Sequence, residues 1–387
     1  MVSPPTARIG FVSATAPDDM LAQSGIPWHM ANALSRYCGI VTHCGPLRPW
    51  VAQPLRVASR ISHRLSRRLR FIDTNSEQLS RAYGRLLAPR VASAATDWLF
   101  APYASAEVAH LETDVPIVYY SDATFRIICD YYPGFAGLSR SARRAGDALE
   151  QRAIARATIA CFASNWAADS AIRHYGASPD KVSVVPMSAN LVDPPQCESL
   201  RFEADRDRLR LLFVGVDWER KGGPIAHEAM LALRRSGIDA TLAVVGCEPP
   251  ARFRSAGVSV HGFLDKSDPV QSTRLAALFR DADFLIVPTR AEAYGCVFVE
   301  ASAFALPSVA TNTGGVASAM ASGTTGILLS PEAHGDEYAV AIADVWTDAA
   351  RYHALRVAAR RAFDAELSWE AWSRRLNQLT AGLSARA

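Results

Sequence analysis

The chain has 387 residues, 49% hydrophobic and 20% charged, with a formal net charge of +3. That length accommodates two domains with a core each, and the composition excludes disordered and fibrous classes. No run of about 18 apolar residues occurs, so no transmembrane helix is expected, and Met1 to Arg8 lacks the apolar centre of a signal peptide. Seven cysteines (Cys38, Cys44, Cys129, Cys161, Cys197, Cys247 and Cys296) are scattered, odd in number and without a CxxC pair. A reduced, cytoplasmic setting is therefore expected, with most of them as small core residues.

In chain order, Arg8-Ile9-Gly10-Phe11-Val12-Ser13 predicts a strand. The loop after it contains Ser24-Gly25-Ile26-Pro27-Trp28-His29, and Met30, Ala31, Ala33, Leu34 and Tyr37 then recur at helical spacing. Strand, glycine loop and helix open a Rossmann-like half, but the loop is not GxGxxG, which argues against a dinucleotide. Gly39 to His43 predicts the second strand. From Arg48 to Arg90 there are ten arginines against Asp73 and Glu77, a local charge of +8 that leaves about −5 for the remainder. Within it, Ala58, Ile61, Leu65 and Leu69 fall on one stripe of a helix, with Arg56, Arg60, Arg64, Arg67 and Arg68 beside or opposite. Such a helix either lies on an anionic membrane surface or packs its apolar stripe on the sheet. Nucleic acid is not expected, because the helix has no interleaved aromatics and no binding motif appears.

Asp97 to Ala101, Pro116 to Tyr120, Thr158 to Ala163 and Lys181 to Pro186 predict four more strands, alternating with helices that include Asp147 to Ala157 and Ala167 to Tyr175. Alternation of this kind implies a parallel sheet. In such a sheet the carboxyl ends of the strands face the ligand. Asp122 stands at such an end, where it either binds a hydroxyl or caps the next helix. Ser188 to Asp207, rich in Pro, Asp and Glu, reads as a linker.

Leu209 to Gly215 opens a second half and runs into Val216-Asp217-Trp218-Glu219-Arg220-Lys221-Gly222-Gly223. Adjacent cations on a glycine-rich strand-to-helix loop suit a diphosphate. Thr241 to Gly246 and Val258 to Leu264 predict strands. Asp281-Ala282-Asp283 has the form of a DxD metal motif, but it sits at the start of a strand and reads as a helix end; no metal is expected. Phe284-Leu285-Ile286-Val287 is a buried parallel strand by its short apolar run. An acidic loop with Gly295 follows, and then small and apolar residues that predict a helix. The N–H groups at the start of that helix make a seat for phosphate. Glu292 and Glu300 flank the seat, and carboxylates there suit sugar and ribose hydroxyls. Leu306 to Ala310 and Thr325 to Leu329 predict further strands, Asp336 to Trp346 a helix, and Trp369, Trp372, Leu376 and Leu379 a final helix over Ser368 to Leu383.

Glu292 and Glu300 with seven residues between them, Tyr294-Gly295 inside the interval and Thr313-Gly314-Gly315 after the next strand resemble the signature of family 4 retaining glycosyltransferases. The resemblance spans nearly the whole chain, specific from Leu211 to Gly326 and loose before Asp122. It implies an α/β GT-B fold, two Rossmann-like domains facing each other across a cleft. The expected division is an acceptor domain at 1–187, a linker at 188–208, a nucleotide-sugar domain at 209–367, and a helix at 368–387 that crosses back to the first domain.

The resemblance further implies transfer of a hexose from a nucleoside diphosphate sugar to a hydroxyl acceptor. The acceptor would be a glycan or lipid-linked sugar, in surface polysaccharide assembly on the inner face of the membrane. Configuration would be retained by front-face attack, with no metal or other cofactor. Catalytic roles fall to Glu292, Asp122, Lys221 and Arg220. Donor binding falls to Gly25, Gly215, Phe263, Tyr294, Gly295, Cys296, Val297 and Glu300, the four from Tyr294 to Val297 through backbone N–H groups. Two departures stand out: Val216 occupies the place of a family arginine, which Arg220 would replace, and Ser121-Asp122 stands where the family often has histidine. A catalytically degenerate sugar- or polyanion-binding scaffold, or a GT-B epimerase or phosphorylase, is the alternative.

Overall fold

The computed structural model describes residues 7–16, 19–20, 22–65, 70–200, 202–203 and 206–383. They form two compact units, Met1–Pro186 with Trp369–Ala387, and Met187–Ser368. Each is built on a six-stranded sheet whose strand pairs are all parallel.

In the first unit the strands are β1 (Ala7–Phe11), β2 (Gly39–His43), β3 (Trp98–Pro102), β4 (Ile117–Ser121), β5 (Ile159–Phe162) and β6 (Val182–Val184), in the order β2-β1-β3-β4-β5-β6. Every residue of β3 and β4 is buried, as expected of strands covered by helices on both faces. The helix Trp369–Thr380 belongs to this unit and brings Trp372 edge-on to Phe100 at 5.6 Å and to Tyr120 at 6.1 Å. The Asn377 amide donates to the Tyr37 carbonyl at 3.0 Å and fixes its far end. The helix Arg140–Arg156 starts well before the expected Asp147, because Ser139 caps it by accepting from the Ala142 N–H.

The basic helix runs Ala52–Leu65. Its buried side is serine. Ser59 Oγ donates to the Phe71 carbonyl at 2.8 Å, and Ser62 Oγ donates to the Ser59 carbonyl at 2.7 Å. Small hydroxyls let the following chain lie close; Ala52 and Leu55 pack partly on the core, while Ala58, Val57 (53% exposed) and Ile61 (51%) turn outward. Of the stripe, Ala58 and Ile61 therefore do not pack on the sheet. Arg67, Arg68 and Leu69, and the side chain of Leu65, lie outside the described residues.

In the second unit the strands are β7 (Leu209–Val214), β8 (Ala240–Val245), β9 (Val258–Val260), β10 (Phe284–Val287), β11 (Ser308–Thr311) and β12 (Gly326–Leu329), in the order β12-β11-β10-β7-β8-β9. Strand β9 stops short of the expected Leu264 because Gly262 turns the chain at φ +66°. The second aspartate of the DxD, Asp283, is fully buried at the start of β10. It accepts from the Arg210 N–H at 2.9 Å and from the Tyr352 hydroxyl at 3.5 Å, and Arg356 in turn donates to that hydroxyl at 2.7 Å. It is a structural carboxylate.

Candidate active site

The carboxyl ends of β7 and β10, neighbours in the sheet, place two loops side by side. At the end of β7, Gly215 leaves the room that Lys221 occupies: a Cβ there would stand 2.7 Å from Lys221 Cγ. The turn is closed by Lys221 N–H to Asp217 carbonyl at 2.9 Å, Gly223 N–H to Trp218 carbonyl at 2.8 Å, and Arg220 N–H to Asp217 Oδ1 at 3.0 Å. Gly222 then adopts φ +78° against β10, where any Cβ would meet the Pro288 carbonyl oxygen at 2.0 Å. Glycine is required here twice over, by dihedral and by contact.

Across the gap, Lys221 Nζ donates to Glu292 Oε2. The two side chains keep only 13% and 11% exposure. The Glu292 carbonyl also accepts from the Gly315 N–H at 3.2 Å, which ties in the Thr313-Gly314-Gly315 turn. Arg220 lies beside this pair with a different task. Its guanidinium donates to the Ala291 carbonyl at 2.9 Å and stands 3.6 Å from Asp217, while its own carbonyl accepts from the Arg290 N–H at 2.7 Å. Arg220 thus braces the loop that carries Glu292.

Gly295, at φ +93°, starts the helix Cys296–Ala303, whose first turn holds no acidic residue. The first-turn N–H groups and the dipole favour an anion at that end. Cys296 and Val297 are half-buried there, whereas the Tyr294 side chain is fully buried and its hydroxyl donates to the Met187 carbonyl at 2.8 Å. The Tyr294 phenol is thus engaged inside the unit.

Glu300, on the same helix, is 2% exposed. Its Oε1 accepts from Lys266 Nζ, a residue that the sequence pattern did not single out. Lys266 follows Phe263, which is 60% exposed in the loop after β9. The loops after β7, β8 and β9 are laced through glycine: the Gly246 N–H donates to the Gly262 carbonyl at 2.7 Å, and Gly246 passes the Gly215 carbonyl so closely that a Cβ would stand 2.7 Å from it. Gly215, Lys221, Glu292, Gly295 and Glu300 are therefore all set at the strand ends of this unit.

Gly25 and Asp122 belong to the first unit. Gly25 sits at φ +81° before the helix Ile26–Tyr37, with the Met20 carbonyl 2.9 Å from where a Cβ would be. Asp122 follows β4 and is half-buried; the N-cap of the next helix is Thr124, two residues on. Asp122 is therefore not that helix's N-cap residue.

One family model matches most of the second unit. Residues 208–348 match the family described as Glycosyl transferases group 1. This region is similar to group 1 glycosyl transferases. Among curated proteins, the chain is 32% identical over 213 residues to the D-inositol 3-phosphate glycosyltransferase of Paenarthrobacter aurescens (strain TC1), covering 51% of each. The chain thus spans about half the length of the curated relatives it matches. Among solved structures, sucrose-phosphate synthase from Thermosynechococcus elongatus superposes with a TM-score of 0.67 at 18% identity, covering 98% of this chain and 100% of that one. Anabaena HepE in complex with UDP-glucose superposes with a TM-score of 0.60 at 16% identity, covering 97% and 100%. At such identities the likeness is one of fold, and the fold is GT-B, as expected.

Proposed function

We propose that the protein is a retaining glycosyltransferase that moves a hexose from a nucleoside diphosphate sugar to a hydroxyl acceptor. The observation that carries this is the pairing of Lys221 with Glu292 beside the N-terminus of the helix Cys296–Ala303. A cation and a helix N-terminus address a diphosphate, and a carboxylate next to them addresses the sugar hydroxyls.

In the reaction, the bond between the anomeric carbon and the diphosphate oxygen breaks, and the acceptor oxygen bonds to the same face. The acceptor's proton passes to the leaving phosphate, which gives retention without a protein nucleophile. Lys221 and the N–H groups of Cys296 and Val297 stabilise the negative charge that grows on the leaving group. Glu292 orients the transferred sugar, and Arg220 holds the Glu292 loop in register. Glu300 binds the ribose, and Phe263 with its neighbours borders the base. Gly25 and Asp122 serve the reacting groups from the first unit, Asp122 as a hydroxyl acceptor. The positive charge that a metal would supply comes from Lys221, so the reaction runs without one.

A UDP-hexose is the first donor to try, because Anabaena HepE binds UDP-glucose. The acceptor is anionic. The basic stretch from Arg48 to Arg90 favours it, and the curated relatives are named for D-inositol 3-phosphate. Glycan and lipid-linked acceptors of surface polysaccharide assembly fall within that class. The exposed Val57 and Ile61, set among Arg56, Arg60 and Arg64, support a peripheral position on the inner, cytoplasmic face of an anionic membrane. Among the described residues, no helix is long and apolar enough to cross one.

Calorimetric titration with UDP, GDP, ADP and their hexose conjugates, in EDTA, tests the proposal. Binding of one nucleotide series with slow sugar release into water is the expected outcome. Binding of none would remove the donor site around Lys221 and Glu300 and leave a degenerate scaffold.

A further inference from the structure

Lys266 occupies a position that neither the family pattern nor the packing of the sheet requires. It lies in the turn between β9 and the helix Pro269–Asp281, and that turn is tied by its own hydrogen bonds. Asp265 Oδ1 accepts from the Ser267 N–H at 2.8 Å and from the Ser267 hydroxyl at 2.7 Å, and the Asp265 N–H donates to Gln271 Oε1 at 3.0 Å. From this fixed base the lysine reaches Glu300, whose side chain is 3% exposed while that of Lys266 is 33% exposed. No other partner of the Glu300 carboxylate is recorded among the described residues. A buried charge with a single partner is a poor stabilising device, since replacing such a pair with apolar groups is often neutral or better. The pair is better explained by what it presents outward. A carboxylate has about four acceptor sites and an ammonium three donors. One contact between them leaves donors on the one-third-exposed lysine and acceptor sites on the carboxylate that Lys266 does not use.

A hydroxyl is at once a donor and an acceptor. Glu300 alone satisfies only its proton. Lys266 beside it satisfies its lone pairs. We propose that Lys266 is a positioning and specificity-determining residue for the donor's ribose: Lys266 and Glu300 together grip a ribose hydroxyl from both sides, so that the site selects ribonucleotides over deoxyribonucleotides. This rests on the donor-site assignment made above, and the test is chosen to separate the two.

Dissociation constants are measured by calorimetry for UDP, GDP and ADP, and for the 2′-deoxy form of the tightest binder, on the full chain and on Lys266→Met and Lys266→Arg. The wild-type protein is expected to prefer the ribonucleotide by about tenfold or more, as sites built to hydrogen-bond a hydroxyl do. Lys266→Met is expected to cut that preference to about threefold or less, and Lys266→Arg to restore most of it by supplying donors again. A ratio of two affinities on one sample does not depend on the fraction of protein folded, so a loss of stability in Lys266→Met cannot mimic the result. A wild-type preference that persists undiminished in Lys266→Met overturns the inference while leaving the donor site standing. Binding without any ribose preference in the wild type overturns the role of the pair. Failure of the wild type to bind any nucleotide overturns the donor site itself and this inference with it.

Discussion

Each unit buries two glutamates, and the two units treat them in opposite ways. In the second, Glu292 and Glu300 stand at or beyond the carboxyl ends of strands, and each is met by a lysine from another loop. In the first, Glu107 and Glu150 are enclosed, and among the described residues no such cation meets them. Glu150 accepts from the Tyr119 hydroxyl at 2.8 Å, and burial pushes its carboxyl up to about 7; burial does the same for Glu107. A buried carboxylate given a cation stays an acceptor for incoming hydroxyls, whereas one given a neutral donor in a closed core acts as a neutral acid. Position in the sheet decides which. The loops after β7 and β10 are free to carry lysine and glutamate toward each other, while the sites around Glu107 and Glu150 are walled by helices and by β4.

The contrast predicts that the same kind of substitution has opposite consequences in the two units. Glu292→Gln is expected to show the largest effect, a fall in turnover of about 100-fold or more, near 3 kcal/mol of transition-state stabilisation, with donor still bound. Turnover of the nucleotide sugar under saturating donor measures it, and near-normal turnover would remove Glu292 from the mechanism. Glu150→Gln should leave turnover within about twofold and change stability instead. The folded-state values of Glu150 and Glu107 lie above the ordinary 4.5, at about 7. Their contribution is therefore fully present below about pH 4.5 and is lost as the pH rises toward 7, because the folded protein holds protons that the unfolded chain releases. The loss amounts to about 3 kcal/mol per group. Glu150→Gln removes one of the two titrations, so its unfolding midpoint should fall less steeply between pH 5 and 7 than the wild type's. Parallel slopes, or a collapse of turnover in Glu150→Gln, would break the contrast.

How much of this was legible in the sequence follows from the range over which each feature is determined. The alternation of strands and helices, the glycine turns at Gly25, Gly222 and Gly295, and the Glu292–Glu300 spacing are local patterns, and they predict both the sheets and the place of the second unit's site. Lys266 was not legible. It lies 34 residues from Glu300 in sequence, and only the return of the chain from the edge strand β9 to β10 brings them together. Arg220 shows the same limit. Its charge and its place on a glycine loop suggest phosphate, but not that one N–H would bond the Ala291 carbonyl and Nε stand near Asp217, which only the folded loops decide. The buried Glu107 and Glu150 carried no signal, since acidic residues on helices read as solvated faces until the packing is known. The basic helix was left between two packings for a related reason: hydrophobic spacing marks a stripe but not the side to which it turns, and Ser59 and Ser62 took the inner side.

That outward stripe carries the smallest predicted effect and the sharpest test of the contrast between the units. The first unit spends its positive charge on a surface, where Arg56, Arg60 and Arg64 are exposed around Val57 and Ile61; the second spends its lysines on buried carboxylates. A surface charge near an anionic bilayer contributes about 1 kcal/mol, so Arg60→Ala should weaken binding to phosphatidylglycerol-containing vesicles roughly fivefold. Ile61→Asp should weaken it further, because it removes an apolar contact and adds a repelled charge. Neither change touches the donor site, so nucleotide affinity should hold. Cosedimentation with anionic and with neutral vesicles at low and at moderate salt separates the contributions: the arginine effect shrinks as salt screens it, while the effect of losing the apolar contact persists. Equal binding of wild type and Ile61→Asp to anionic vesicles would mean that the helix meets no membrane. The exposed arginines would then be left to an anionic acceptor in solution.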